Sequence, residues 1–319
     1  MTMLYIDRKG LVVKTDGEAL AFYENGTRAG TVPLAPLDGV VIRGDTCLHT
    51  SVLSKLGERG VTVTVLGGRK AEPTLLYAAP HKNAQRRLGQ YQIASDPCQC
   101  LVVAVGFVRD KLQAQEYHLN ERAERYPGHR HELLTSARQI DNALLEIDDC
   151  KSIPELRGLE GSAAARYFQA LAASVPGSLG FTRRNRRPPK DPLNALLSLT
   201  YTLLYSDCAR MLYQIGLDPY IGFYHTPEYG RKSLACDFLE PLRPSADMWA
   251  LSLLSEKKLR VENFTIGEQG CLMNKEARSV FYPEYETFAM GMRECIEERA
   301  RTLAKFVDSV GQNEGEDHA

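Results

Sequence analysis

The chain has 319 residues, 44% hydrophobic and 25% charged, ordinary soluble-protein composition with room for roughly two domains of about 150 residues each. Lys and Arg number 39 against 40 Asp and Glu, a formal charge of −1, so overall basicity is excluded as a source of nucleic-acid affinity and any such affinity must come from local clusters. The first residues, MTMLYIDRKG, carry no basic region followed by an apolar run, and no window approaches the ~18 apolar residues of a spanning helix, which argues against secretion and membrane insertion and predicts a cytoplasmic protein.

Residues 1 to about 80 read as strands. LVVKT, ALAFYE, GVVIRG, VTVTVL and TLLYAA are short and rich in β-branched and aromatic residues, with tight-turn signals at Asp16-Gly17 and Asn25-Gly26. HTSVLSKLGERG between two of them reads as a single short helix ended by Gly57 and Gly60. From QRRLGQYQIA onward the apolar positions recur at helical spacing, which marks a domain boundary. Leu101, Val105, Val108 and Leu112 form one stripe, and Leu133, Leu134, Ala137, Ile140, Leu144 and Leu145 another. Leu193 to Gly216 is apolar on most faces and predicts a central buried helix, and a last helix carries Tyr285, Phe288, Met292, Ile296, Leu303 and Phe306. The expected architecture is α+β and multidomain: a small amino-terminal β-sheet domain (1–83), a larger all-helical catalytic domain (84–310) and a disordered acidic tail (311–319). The eight cysteines are scattered, and the closest pair, Cys98 and Cys100, lacks the gap of a zinc site, so they read as reduced, mostly buried thiols.

The chemistry-bearing residues lie in three segments. In LRGLEGSAAARYFQAL, Glu160 stands between Gly158 and Gly161 and is followed by small residues, a bare helix face that lets a neighbouring helix or a phosphate backbone come close. In GLDPYIGFYHTPEYGRKSLACDFLEPLRP, His225 precedes a helix on which Asp237 and Glu240 are three apart and share a face, so either could join the histidine. One imidazole and two carboxylates form a mixed nitrogen and oxygen set that suits Mn2+ or Mg2+ rather than a closed zinc site. Between the two, FTRRNRRPPKDPLNALL crowds Arg183, Arg184, Arg186, Arg187 and Lys190 into a proline-bounded loop, a density of like charge that calls for backbone phosphate. Arg86 and Arg87 at the domain junction, and Arg243 beyond Glu240, are further basic positions. Tyr201, Tyr205 and Tyr213 line the central helix at core spacing rather than as a stacking platform, and Cys208 and Cys236 read as buried rather than as nucleophiles.

GLEGSAAARYF, DPLNALLSLTYTLLY, GLDPYIGFYH and SLACDFLEPLRP, in this order, together with HKNAQRRLGQYQIA and the β-rich start, resemble the CRISPR-associated spacer integrases, the Cas-one (Cas1) family, over nearly the whole chain. The resemblance implies that the metal ligands and catalytic residues are Glu160, His225 and Glu240. It decides for Glu240 over Asp237, which stays as a supporting residue beside Asn194, a residue that either supports a ligand or caps the central helix. It further implies a homodimer joined through the β domains, bridged to a second dimer by the small Cas-two (Cas2) protein in a heterohexamer. That assembly inserts foreign DNA fragments into the CRISPR repeat array by attack of a 3′ hydroxyl on a phosphodiester, with the arginine loop and Arg243 on DNA backbone. The rival readings are a nucleic-acid-binding scaffold without catalysis and a metal-dependent phosphodiesterase.

Overall fold

The computed structural model describes residues 2–67, 73–77, 83–185 and 188–316. The first part contains β1 (Thr2–Asp7), β2 (Leu11–Asp16), β3 (Ala19–Glu24), β4 (Thr27–Pro33), β5 (Leu37–Arg43), β6 (Cys47–Leu48), α1 (Thr50–Glu58), β7 (Thr62–Leu66) and β8 (Thr74–Leu76). Among the described residues these strands form two four-stranded sheets, in the orders β1-β5-β7-β8 and β4-β3-β2-β6. Asp16-Gly17 and Asn25-Gly26 make the expected hairpins, with Gly17, Asn25 and Gly26 all at positive φ.

The first sheet is parallel through β1, β5 and β7, and alternate residues serve two cores. Ile6, Val40 and Ile42 face the second sheet and α1, whereas Met3 and Val41 join the core of the helical part. This two-sided burial explains why GVVIRG reads as a continuous apolar run. β1, β4 and the two-residue β6 do not stand out in the sequence. β4 is an exposed edge strand without apolar alternation, placed by the Asn-Gly hairpin rather than by burial.

The helical part comprises α2 (Ala84–Ser95), α3 (Pro97–Arg125), α4 (Arg130–Glu146), α5 (Ile153–Ala173), α6 (Pro192–Ile215), α7 (Ser233–Leu239), α8 (Arg243–Ser255) and α9 (Lys275–Glu316). Asn83, Asp96, Ser152 and Asp191 cap α2, α3, α5 and α6 by accepting backbone N–H bonds, and Gly216 closes α6 in the left-handed region at φ 92°. α6 is the buried centre, with Leu193, Leu196, Leu197, Leu204, Cys208 and Leu212 fully enclosed. This part is not all helical: β9 (Phe264–Gly267) and β10 (Gly270–Met273) form a hairpin before α9. That pair is too short and too glycine-marked to stand out from a loop in sequence. α9 runs to Glu316, into the segment read as a disordered tail, and residues 317–319 lie outside the described ones.

The cysteines are all free, as read, but fewer are buried than expected. Cys208 and Cys271 are buried, Cys47 and Cys98 are exposed, and the other four lie between. Among the described residues no single helix is long and apolar enough to cross a membrane.

Candidate metal centre

On α3, Ala104, Val108, Lys111, Gln115 and Leu119 recur at helical spacing and are all buried. Two polar side chains therefore occupy positions where an amphipathic helix presents apolar ones. The Lys111 ammonium donates to Glu160 Oε1 from α5 and, at 2.5 Å, to Glu240 Oε2 from the 3-10 turn Glu240–Leu242 between α7 and α8. The remaining oxygens are held as well. Tyr224 Oη donates to Glu160 Oε2 at 3.2 Å, and Arg243 Nε donates to Glu240 Oε1 at 2.9 Å. Burial alone would raise the Glu240 carboxyl, but Arg243 and Lys111 outweigh it and hold this group well below the usual carboxylate range. Burial likewise opposes charge on Lys111, and Glu240 and Glu160 together keep it protonated.

His225 is positioned by one buried carboxylate. Asp237 on α7 accepts from the backbone N–H of Phe223 (2.7 Å), Tyr224 (3.1 Å) and His225 (2.9 Å), and its Oδ1 lies 2.7 Å from His225 Nδ1. The segment wraps so closely around this carboxylate that a Cβ on Gly222 would sit 2.8 Å from Asp237 Oδ2 and from His225 O. Only glycine fits there. Burial raises the Asp237 carboxyl although the His225 ring and the backbone donors work against it.

Glu160, His225, Glu240 and Lys111 line one cavity of about 220 Å³, which Tyr224, Arg184, Tyr201, Arg243 and Asp247 complete. The three predicted ligands thus converge on one space. As the side chains stand, no three His, Cys, Asp or Glu groups among the described residues are close enough to hold an ion, and the Lys111 ammonium bridges the two carboxylates. Asp237 touches the histidine rather than the cavity, the arrangement of a supporting residue.

The basic residues divide. Arg243 is half-buried in an ion pair with Glu240 and lies 4.5 Å from the centroid of the Tyr201 ring, which Arg184 faces at 5.3 Å. Both arginines line the cavity, whereas Arg183 and Lys190 are exposed away from it, and Arg186 and Arg187 lie outside the described residues. Asn194 is not the cap of α6, a role Asp191 fills. It latches the arginine loop instead: its Oδ1 accepts from Asn185 N (3.0 Å) and Arg184 Nη1 (2.8 Å), and its Nδ2 donates to Arg183 O (3.0 Å). Arg86 pairs with Asp308 and the Ile215 carbonyl, a structural role. Ala163 is buried in the core, but Gly158 and Gly161 do not admit a neighbouring helix, since a Cβ at either would meet nothing within 4 Å among the described residues. They leave that helix face open.

Sequence reasoning missed Lys111, Tyr224, Gln115 and Asp247. The signal for Lys111 and Gln115 was there, as polar residues in register with the buried positions Ala104, Val108 and Leu119. Asp247 on α8 is 1% exposed and accepts a short hydrogen bond from Tyr201 Oη. Burial, against the hydrogen bond from Tyr201 and the charges of Arg184 and Arg243, pushes its carboxyl up to about 7 from the usual 3.8. Between these two values the folded chain holds a proton that the unfolded chain has released, so this group's contribution to stability declines as pH rises through that window and is flat above it. Asp247→Asn is expected to flatten this slope and to raise the melting temperature at pH 8 by roughly a few degrees. Thermal melts at pH 5 and pH 8 check it, and an unchanged slope would count against the assignment.

The family model described as CRISPR associated protein Cas1 matches residues 4–287. CRISPR-associated endonuclease Cas1 1 of Thermodesulfovibrio yellowstonii is 38% identical over 296 residues, which cover 92% of this chain and 93% of that one. Among solved structures, a Cas1 protein from Thermotoga maritima shares the fold with a TM-score of 0.83 at 22% identity, over 96% of this chain and 97% of the other. A chain of a Cas6-RT-Cas1–Cas2 complex shares it with a TM-score of 0.82 at 23% identity, over 97% of this chain and 35% of its own length. With a match that runs from the first strand into the last helix, the chain belongs to the Cas1 family of CRISPR-associated proteins.

Proposed function

We propose that this chain is a DNA endonuclease and integrase of CRISPR adaptation, which inserts DNA fragments into the repeat array from the cavity around Glu160, His225 and Glu240. The observation that carries this reading is a buried and a half-buried carboxylate, Glu240 and Glu160, sharing one cation in a cavity that also receives His225, whose Nδ1 is fixed by Asp237. A carboxylate on one ring nitrogen is the usual support of a metal-binding histidine and leaves Nε2 as the ligand atom. Oxygen donors with one imidazole suit a hard divalent cation, Mn2+ or Mg2+, held by Glu160, His225 and Glu240. When bound, such an ion lowers the pKa of a hydroxyl and neutralises charge on phosphoryl oxygens.

In the reaction, the 3′ hydroxyl of the incoming fragment forms a new P–O bond to a repeat phosphate while that phosphate's bond to the 3′ oxygen of the preceding nucleotide breaks, the proton lost by the attacking hydroxyl being matched by one gained at the leaving 3′ oxygen. Arg184 and Arg243 on the cavity wall supply fixed positive charge toward that phosphate. Arg183, Arg186, Arg187 and Lys190 of the same arginine-rich segment hold the DNA backbone. DNA and Cas2 are the partners. The chain works as a homodimer joined through the β-sheet domain, two dimers and Cas2 forming a heterohexamer in the cytoplasm. The domain division at residue 83 separates the pairing surface from the cavity.

The deciding experiment is transfer of a DNA fragment with a free 3′ hydroxyl into a plasmid carrying a repeat, with Cas2, in Mn2+, in Mg2+ and in chelator. Joined product only with a divalent ion is expected. Product of equal yield in chelator would overturn the metal centre, DNA binding without product in any ion would favour the inactive scaffold, and turnover of a chromogenic phosphodiester without DNA would favour a general phosphodiesterase. For the loop, neutralising Arg183, Arg186 and Arg187 while leaving the latched Arg184 is expected to weaken DNA binding across all sequences. The salt dependence should flatten by about 0.9 per lost phosphate contact. An unchanged slope would place the DNA elsewhere.

A further inference from the structure

We propose that Lys111 is a built-in counter-cation that holds the Glu160 and Glu240 carboxylates together until a divalent ion displaces it, and that Gln115 receives the displaced ammonium. The inference rests on the reading of Glu160 and Glu240 as metal ligands and adds a residue that acts through them.

The two carboxylates divide their oxygens in the same way. Tyr224 holds the outer oxygen of Glu160 and Arg243 the outer oxygen of Glu240, while both inner oxygens, Glu160 Oε1 and Glu240 Oε2, end on the Lys111 ammonium. Two carboxylates that share a largely enclosed site repel unless a cation stands between them. An ammonium and a hard divalent cation seek the same oxygen donors, so they compete for one position. Lys111 is 7% exposed, so the space it can move into is the cavity it lines. Its alternative partner lies one turn along the same face of α3: Gln115, 1% exposed, lines the same cavity and has a buried Oε1 with no hydrogen-bond partner. An orphaned buried acceptor requires an explanation, and a donor that arrives in a second state of the site provides one. Lys111 is therefore a positioning residue with two stations, on the carboxylates without metal and on Gln115 with it.

Calorimetric titration of Mn2+ into the full chain without DNA, with thermal melts of the metal-free proteins, tests this on the wild type, Lys111→Met, Gln115→Leu, the double variant and His225→Ala. Lys111→Met is expected to bind Mn2+ at least about tenfold more tightly, within the usual range of coupling between two competing ligands. It should also melt lower without metal and gain more from Mn2+ than the wild type does. Gln115→Leu is expected to bind Mn2+ more weakly in the wild-type background and to change nothing once Lys111 is Met. Equal or weaker binding by Lys111→Met would overturn the counter-cation. If that variant fails to fold, Gln115→Leu decides alone: unchanged affinity overturns the second station and the exchange with it. A wild type that binds no Mn2+, or a His225→Ala that binds it equally well, would sink the metal-centre reading itself, a result distinct from a wild type that binds while Lys111→Met gains nothing.

Discussion

His225→Ala is expected to lower metal-dependent strand transfer by at least about a hundredfold, beyond the 10–100-fold typical of losing a group that only supports a ligand, while the melting temperature moves by no more than a few degrees. The separation of the two effects follows from the geometry. The imidazole is about a quarter exposed, and without it Asp237 keeps three backbone donors. Asp237→Ala is the inverse case. It strands the N–H groups of Phe223, Tyr224 and His225 around an empty centre, and each buried unsatisfied donor costs about 1–3 kcal/mol. The expected loss is on the order of 3–5 kcal/mol, with activity falling because the loop that presents His225 is no longer held. Asp237→Asn keeps the shape and one acceptor oxygen, so metal affinity should fall by about 10–100-fold with a smaller stability change. Melts and strand transfer on the three variants separate these roles. An Asp237→Ala protein that melts with the wild type would show that the carboxylate does not organise the loop.

The second large effect is expected far from the cavity. Arg293 on α9 is 1% exposed and grips Glu286 with both terminal nitrogens, at 2.8 and 2.9 Å, while its Nε reaches Asp207 Oδ2 on α6 at 3.1 Å. Glu286 also accepts from Tyr5 Oη at 2.9 Å and from Met3 N at 3.1 Å. The guanidinium thus balances Glu286, shares Asp207 with Arg210 (3.3 Å), and ties β1 to α9 and α6. Removing one member of a buried ionic cluster leaves charge without compensation, at about 3–5 kcal/mol. Arg293→Ala is accordingly expected to lower the melting temperature by roughly 10 °C. Tyr5→Phe added to it should have less effect than in the wild type, since both act on Glu286. Additive effects would show that Tyr5 and Arg293 do not act through the shared carboxylate.

The amphipathic helices and the two Gly-turn hairpins were legible because local chemistry dictates them: period, caps and positive-φ glycines act within a few residues. The catalytic candidates were legible only in part. Glu160, His225 and Glu240 lie up to 80 residues apart, and their convergence depends on how α3, α5 and α7 pack, which no local rule encodes. The choice between Asp237 and Glu240 could not be made from spacing, since both share a face; burial and contact separate them, one beneath the histidine and the other at the cavity. Lys111 stayed hidden because a lone lysine in a long charged helix reads as a solvated residue until its carboxylate partners are known. The β9–β10 hairpin and the latch role of Asn194 were missed for a related reason, as both are defined by what they hold.

That latch has a kinetic consequence. The segment with Arg183 and Arg184 is tied to α6 through Asn194, and its far side is tied to β10 by the hydrogen bond from Cys271 N to Pro189 O at 2.7 Å. Gly270 permits that approach, since a Cβ there would lie 2.7 Å from Pro188 Cβ and from Pro189 O. The tied flanks, at Arg183 to Asn185 and at Pro189, surrender little conformational entropy on meeting a polyanion. Encounter should therefore be set by diffusion and ionic steering rather than by loop ordering, and loosening the anchor, as in Asn194→Ala, should slow capture even though no positive charge has been removed.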